Sequence, residues 1–330
     1  MNNPRYDVAG IGNAIVDVLT RTDDTFLAAQ GLDKGAMTLV DQDRSRAVYE
    51  KVGPATECSG GSAANTIAVL AGLGGKAAFM GKVRDDELGR IFAHDIRSLG
   101  VHFETQPAAD GPDTANCLVL VTPDAERTML TYLGASVHFG PADVDTDVIA
   151  KSKVTYLEGY LWDPLEAKEA FRTAARAAHD AGREVSLSLS DAFCVDRHRD
   201  DFLKLIEGDV DILFANEDEI TSLYQVDSFD DALQNVRGHC KIAALTRSGK
   251  GSVIVAGDEV HVVDAETVDM VRDTTGAGDA YAAGFLYGYT HEKDLVTAAR
   301  MGGIAAAHVI QHIGARPDVD LKWIMAEALG

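Results

Sequence analysis

The stretch Asp273-Thr274-Thr275-Gly276-Ala277-Gly278-Asp279-Ala280-Tyr281-Ala282-Ala283-Gly284-Phe285, late in the chain, reads as a loop that turns into a helix. Gly276 and Gly278 let the backbone bend tightly and approach a ligand with no Cβ in the way, and the Ala-rich run behind them is a good helix former. The amides of Ala277, Gly278 and Asp279 then face outward at the positive end of the helix dipole. They make an anion hole for a phosphate oxygen or for charge developing in a transition state. Asp279 falls in the first turn. It either charges and caps the helix start or serves as a base for a hydroxyl held against a phosphoryl group on those amides.

Composition narrows the partners. The chain has 330 residues and a formal net charge of −22. A protein this acidic has no general attraction for nucleic acid or for an anionic membrane, so phosphate must be held by local groups and a metal ion. The four cysteines, Cys58, Cys117, Cys194 and Cys240, are scattered without zinc-ligand spacing and read as free thiols of a reducing compartment. The first residues lack the apolar run of a signal peptide, and no segment has the roughly 18 uninterrupted apolar residues of a membrane span. The expectation is a cytoplasmic protein that binds small molecules.

Outward from the signature, other polar residues stand at turns between apolar runs. Tyr6 to Ile11 is a strand, followed by Asn13 and by Asp17 within Ile15-Val16-Asp17-Val18-Leu19. Asp17 either points to solvent or turns inward, where the hydroxyls of a polyol are suitable partners and Asn13 is its neighbour. The pair Gly10-x-Gly12 lacks the third glycine of a dinucleotide fingerprint. Gly60 and Gly61 introduce a helix with Asn65 in its first turns. That side chain either bonds the helix end or recognises a diol beside the close backbone. Ala115 to Val121 and Arg127 to Tyr132 read as a β-hairpin that, with a short strand near Met37, forms a small sheet outside the main one. Arg127 is a solvated turn residue or reaches toward phosphates. From residue 144 onward, strands and helices alternate as in a parallel sheet covered on both faces, with ligands at the carboxyl ends of the strands. Asn216-Glu217-Asp218-Glu219 stands at one such end and reads from spacing as a capped helix start.

Together these motifs resemble, in order and over nearly the whole chain, the ribokinase-like (PfkB-type) sugar and nucleoside kinases. The resemblance implies an α/β fold over residues 1–330 as a single kinase domain: a central, mainly parallel sheet sandwiched by helices, with a small β-sheet lid from insertions at about 14–54 and 101–137. It implies ATP- and magnesium-dependent phosphorylation of a primary hydroxyl, with Asp279 as base and Gly276, Ala277 and Gly278 at the anion hole. Asp17, Gly60, Gly61 and Asn65 match the sugar-holding residues. Asn216 and Glu219 match the Asn-x-x-Glu element that orders magnesium through water. Thr246, Arg247, Gly249 and Gly251 fall in the ATP loop, where Ser248 replaces a family glycine. Asp273 lies where some relatives bind a monovalent cation, for which potassium is the candidate.

Gly10-Ile11-Gly12-Asn13-Ala14-Ile15-Val16-Asp17 is worded more like the adenosine kinases than the ribokinases, as are Arg127 and Leu133-Gly134-Ala135-Ser136. Met37, Leu39, Tyr160 and Trp162 are candidates for a flat apolar slot under a nucleobase, or are ordinary core. The expectation is a kinase of adenosine, with ribose, fructose or another sugar as the alternative, and a non-catalytic nucleotide or sugar sensor more distant. It would act as a monomer or homodimer.

Overall fold

The computed structural model describes residues 4–329 except 125 and 318. Its strands are β1 (Tyr6–Ile11), β2 (Ile15–Arg21), β3 (Met37–Leu39), β4 (Ala55–Gly60), β5 (Ala77–Met80), β6 (Ala115–Val121), β7 (Arg127–Tyr132), β8 (Ser152–Glu158), β9 (Glu184–Ser188), β10 (Ile212–Asn216), β11 (Ile242–Thr246), β12 (Ser252–Ala256) and β13 (Glu259–Val263). They form an eight-stranded sheet in the order β13-β12-β11-β10-β9-β8-β1-β5 and a five-stranded sheet in the order β3-β7-β6-β2-β4. The large sheet is parallel from β5 to β11, and β12 alone runs against the other strands, pairing antiparallel with both β11 and β13.

Alternation along each strand explains the layers. Val8 joins the apolar cluster built with helices Ser62–Gly72, Ala277–Thr290 and Leu295–Val309, while Ala9 and Ile11 join the one built with Leu165–Asp180 and Ala192–Asp209. Both faces of the sheet are thus sealed, which is why its strands are nearly continuous apolar runs. β1 lies between β8 and β5, so the strand order reverses there. A crevice opens outside the carboxyl ends of β1 and β8.

The small sheet leaves that crevice directly, since Gly12, Asn13 and Ala14 alone separate β1 from β2. One of its faces, with Val16, Val18, Leu118, Leu120 and Leu130, belongs to the core shared with Leu27 and Val48. On the other, residues paired in register form a row: Leu39, Thr131, Cys117, Asp17 and Cys58.

One expectation needs correction. The first lid segment runs on to Gly60, because Ala55–Gly60 pairs with β2 as a strand and is not a loop leading into a helix. Small residues also let helices Ala277–Thr290 and Leu295–Val309 touch: a Cβ on Gly302 would lie 2.7 Å from the Tyr281 carbonyl oxygen, and one on Gly284 2.5 Å from that of Met301. Among the described residues, no helix is long and apolar enough to cross a membrane.

Candidate active site

Helix Ala277–Thr290 begins after Gly276, whose φ of 78° sets the left-handed turn before the first helical residue. The N–H of Ala277 donates to the Thr274 carbonyl at 3.2 Å. Those of Gly276, Gly278 and Asp279 find no acceptor among the described residues. The amides free to form the expected anion hole are therefore those of Gly276, Gly278 and Asp279. Ala277, expected in it, is already engaged. A Cβ on Gly278 would meet nothing within 4 Å, so the space in front of these amides is open.

Asp279 extends from this turn over the N-terminus of helix Ser62–Gly72. Its Oδ1 accepts from Ser62 Oγ at 2.6 Å and its Oδ2 from Asn65 Nδ2 at 3.4 Å. Burial raises its pKa to about 6 against the lowering pull of Ser62, Asn65 and Arg316, with Asp17 raising it further. A carboxylate brought toward neutrality by desolvation is a better proton acceptor than an ordinary aspartate.

Across the cleft, Asp17 in β2 also rises to about 6, chiefly by burial, held back by the charges of Arg316 and Arg127. Its carboxylate lies over Gly60, and no protein donor to it is found among the described residues. Gly60 has to be glycine because a Cβ there would overlap the Asp17 carboxylate, and Gly61, with φ 95°, would drive one into the Asn13 carbonyl. These two glycines shape the floor next to Asp17.

Other expected residues are used differently. Asn13 is only 1% exposed, and its amide donates to Glu158 Oε1 at 2.9 Å and accepts from Ser136 Oγ at 2.8 Å. It braces the site from beneath, with its side-chain nitrogen and oxygen both engaged. Asn65 does reach the cleft, but its Oδ1 already accepts from Arg316 Nε at 3.0 Å. Arg127 reaches neither solvent nor open phosphate space. It forms a 2.7 Å ion pair with Asp273, and the side chains are 9% and 8% exposed. Asp273 also accepts from the N–H groups of Thr275 at Oδ1 and Gly314 at Oδ2, so Oδ2, the oxygen paired with Arg127, is doubly engaged and Oδ1 singly. Trp162 lies in the core against Phe171 and Phe202 rather than under a base. Tyr160 stays half-exposed at the end of β8, its hydroxyl donating to the Ser190 carbonyl at 3.3 Å. Met37 and Leu39 are exposed on edge strand β3. Leu39 also walls a cavity of about 310 Å³ with Val40, Thr131, Tyr132, Val137 and His138.

At the carboxyl end of β10, Asn216 and Glu219 form a complete capping box. Glu219 accepts from the Asn216 N–H at 3.0 Å and from its amide at 2.6 Å, while Asn216 accepts from the Glu219 N–H at 2.8 Å. The bland reading of this motif is therefore structurally real. Glu219 is 5% exposed, and burial raises its pKa to about 7. Among the described residues no group of three or more His, Cys, Asp or Glu is placed to hold a metal ion. Hard oxygen donors already engaged in this way suit magnesium that arrives with phosphates and keeps its water, and do not form a cage of their own.

Asn216 pairs in register with Thr246, where the next loop begins. Arg247, expected at ATP, instead pairs with Glu217 at 3.1 Å and stacks on Phe229 with its guanidinium 4.0 Å from the ring centroid. Gly249 has open space around it, whereas a Cβ on Gly251 would overlap the Val263 carbonyl. Ser248 has φ 49°, a conformation that favours glycine, so the family glycine it replaces has a conformational reason. Ser248→Gly is expected to stabilise the protein by about 0.5–1 kcal/mol, the left-handed strain relieved less the extra freedom of an unfolded glycine. Urea unfolding measures it, and a loss of stability would mean the hydroxyl earns its place.

Two participants escaped the sequence reading. Glu158, 1% exposed, accepts from the Ala63 N–H at 2.9 Å and thereby caps the helix that carries Ser62 and Asn65; burial raises its pKa to about 7. An acid at the carboxyl end of a parallel strand was the available signal. Arg316, in a loop after helix Leu295–Val309, offered none.

Residues 36–322 match the profile of the pfkB family carbohydrate kinases. The adenosine kinase from Sinorhizobium meliloti is 54% identical, with a TM-score of 0.90 over 98% of this chain and 99% of that one. A probable sugar kinase protein from Rhizobium etli is 52% identical, with a TM-score of 0.91 over the same 98% and 99%. Probable fructokinase-6, chloroplastic, from Arabidopsis thaliana is 30% identical over 286 residues, 82% of this chain and 74% of that protein.

Proposed function

The chain belongs to the pfkB family of carbohydrate kinases, and on that premise we propose that it transfers the γ-phosphoryl group of ATP to the 5′-hydroxyl of adenosine, giving AMP and ADP. The observation that carries the chemistry is a carboxylate raised to about 6 beside three unengaged amides at a helix start. In this reading Asp17 accepts hydrogen bonds from the acceptor's hydroxyls over the Gly60-Gly61 floor. Asp279 takes the proton of the attacking hydroxyl as the new O–P bond forms and the bond to ADP breaks, and the amides of Gly276, Gly278 and Asp279 meet the charge on the transferred group. ATP enters with its magnesium, which neutralises phosphate charge that so acidic a protein does not. Glu219, held by Asn216, would orient that ion's water, and Thr246, Gly249 and Gly251 would border the nucleotide. A potassium ion would have to share the Asp273 carboxylate with Arg127, through Oδ1.

Adenosine is supported by the likeness to the Sinorhizobium adenosine kinase and by the wall of the lid. The row from Asp17 through Cys117 and Thr131 ends at Leu39, beside the cavity of about 310 Å³. A ribose held at Asp17 would thus have apolar lid surface next to it, where a base gains stacking and burial. The alternative, a sugar kinase acting on ribose or fructose, draws on the Rhizobium and Arabidopsis relatives and on the same sugar-holding residues. The reading includes one kinase domain over residues 1–330, working in the cytoplasm as a monomer or homodimer. With ATP and magnesium fixed, kcat/KM for adenosine is expected to exceed that for ribose and for fructose. Equal or higher values for either sugar would overturn the nucleoside assignment and leave the family untouched.

A further inference from the structure

Arg316 stands where four parts of the chain meet the cleft. Its Nε donates to Asn65 Oδ1 at 3.0 Å, and its Nη1 donates to Ser59 Oγ at 2.9 Å and lies 3.5 Å from Asp95 Oδ2. Asp95 in turn accepts from the N–H and hydroxyl of Ser59 at 2.8 and 2.5 Å. The guanidinium therefore ties the lid root, helix Ser62–Gly72 and helix Glu87–Ser98 to the loop that also supplies Gly314 to Asp273. Two of its nitrogens are fully used. Nη2, sealed from solvent, has no partner among the described residues.

An unpaired N–H on a buried cation is costly, and its usual explanation is a partner that arrives. Asp17 is the nearest candidate by charge, since Arg316 is the first of the groups lowering its pKa, yet no hydrogen bond joins them. The oxygen of a hydroxyl already donating to Asp17 would complete both groups at once: the carboxylate accepts its proton and the guanidinium donates to its lone pair. We propose that Arg316 is a positioning residue for the phosphoryl acceptor, fixing Asn65 and Ser59 with two nitrogens and offering the third to an acceptor oxygen bound at Asp17. This deepens the kinase reading above and rests on it. It applies to any polyol acceptor, nucleoside or sugar.

Arg316 also faces Asp279, whose other titratable neighbours are Asp17 in β2, Tyr156 and Glu158 in β8, and Tyr160 after it. Among these charges Arg316 alone favours the ionised base. One variant that removes the charge and one that keeps the charge without the guanidinium fork therefore separate the two effects. Arg316→Gln and Arg316→Lys are compared with wild type on whichever of adenosine, ribose and fructose the wild type turns over best, so a wrong acceptor assignment shows in the wild type alone.

For Arg316→Gln the acceptor KM is expected to rise about 10–100-fold, the scale of a lost charge-assisted hydrogen bond, with KM for ATP within about twofold. The acid limb of kcat/KM should move to higher pH. Arg316→Lys should keep the limb and lose the acceptor KM. The carbon-13 titration of the Asp279 carboxyl, read without any acceptor, should move up in Arg316→Gln. An unchanged acceptor KM, an unchanged Asp279 titration, or equal rises in both KM values with a lowered melting temperature would overturn the proposal, the last by making Arg316 a strut.

Discussion

Asp279→Asn is expected to fold normally and to lose kcat by about 10²–10⁴-fold, the range for a missing general base, with KM for ATP little changed. The substitution keeps the shape and the oxygen that accepts from Ser62 Oγ, gives up only the long 3.4 Å bond from Asn65, and removes the ability to take a proton. Stability should not suffer. Asp279 has a folded-state pKa of about 6 against the usual 3.8, so the folded protein binds the proton more tightly than the unfolded chain. By linkage its contribution is fully present below about 4 and is lost as pH rises through about 6. At neutral pH the ionised carboxylate is therefore a burden on the fold, which the amide removes. The wild-type kcat/KM should fall as pH drops through about 6, and more steeply than for one proton, because Asp17 titrates in the same range and must also be ionised to accept hydroxyls. A variant with near-wild-type kcat, or an acid limb near 4, would remove Asp279 from the proton transfer.

The fold was legible because its signals are local. Tyr6–Ile11 and Ser252–Ala256 appear where the apolar runs stand, and the hairpin of β6 and β7 appears around its Pro123-Asp124 turn. Strand Ala55–Gly60 was hidden, since Ala-Thr-Glu-Cys-Ser-Gly alternates weakly and derives its conformation from pairing with β2. The site was legible in its acids and glycines. Asp17 and Asp279 face one cleft, and Gly60 and Gly61 fit it for steric reasons that spacing alone had suggested. What the sequence could not give is which polar groups satisfy one another across the fold. Asn13 was read as a ligand residue and is bonded to Glu158 and Ser136; Arg247 was placed in the ATP loop and is paired with Glu217. Arg316 lies 251 positions from the Asn65 it holds, a distance over which no pattern reads.

The same limit hid the pair Arg127 and Asp273, and its loss should give the largest change in stability. Asp273→Ala is expected to cost about 3–5 kcal/mol, the range for stripping one partner from a buried ion pair. At 2.7 Å and under a tenth exposed on both sides, the pair is too sheltered to be discounted as a surface bridge. The carboxylate also holds the N–H groups of Thr275 and Gly314, so its removal loosens the turn that carries Asp279 as well as β7 of the lid. What remains is a guanidinium stripped of its hydrogen-bonded anion, whose Nε and Nη2 have no partner among the described residues even in the intact protein. It can regain water only if the lid moves away. Amide exchange should therefore quicken in β7 and in the Asp273 to Gly278 turn well before it does in β8 to β11. Adding Arg127→Met to Asp273→Ala removes the stranded charge and should recover much of the loss, because apolar residues of similar volume replace buried ion pairs at little cost. A single variant destabilised by less than about 1 kcal/mol, or a double variant as unstable as the sum of its parts, would show that lid and signature loop are held together by something other than this pair.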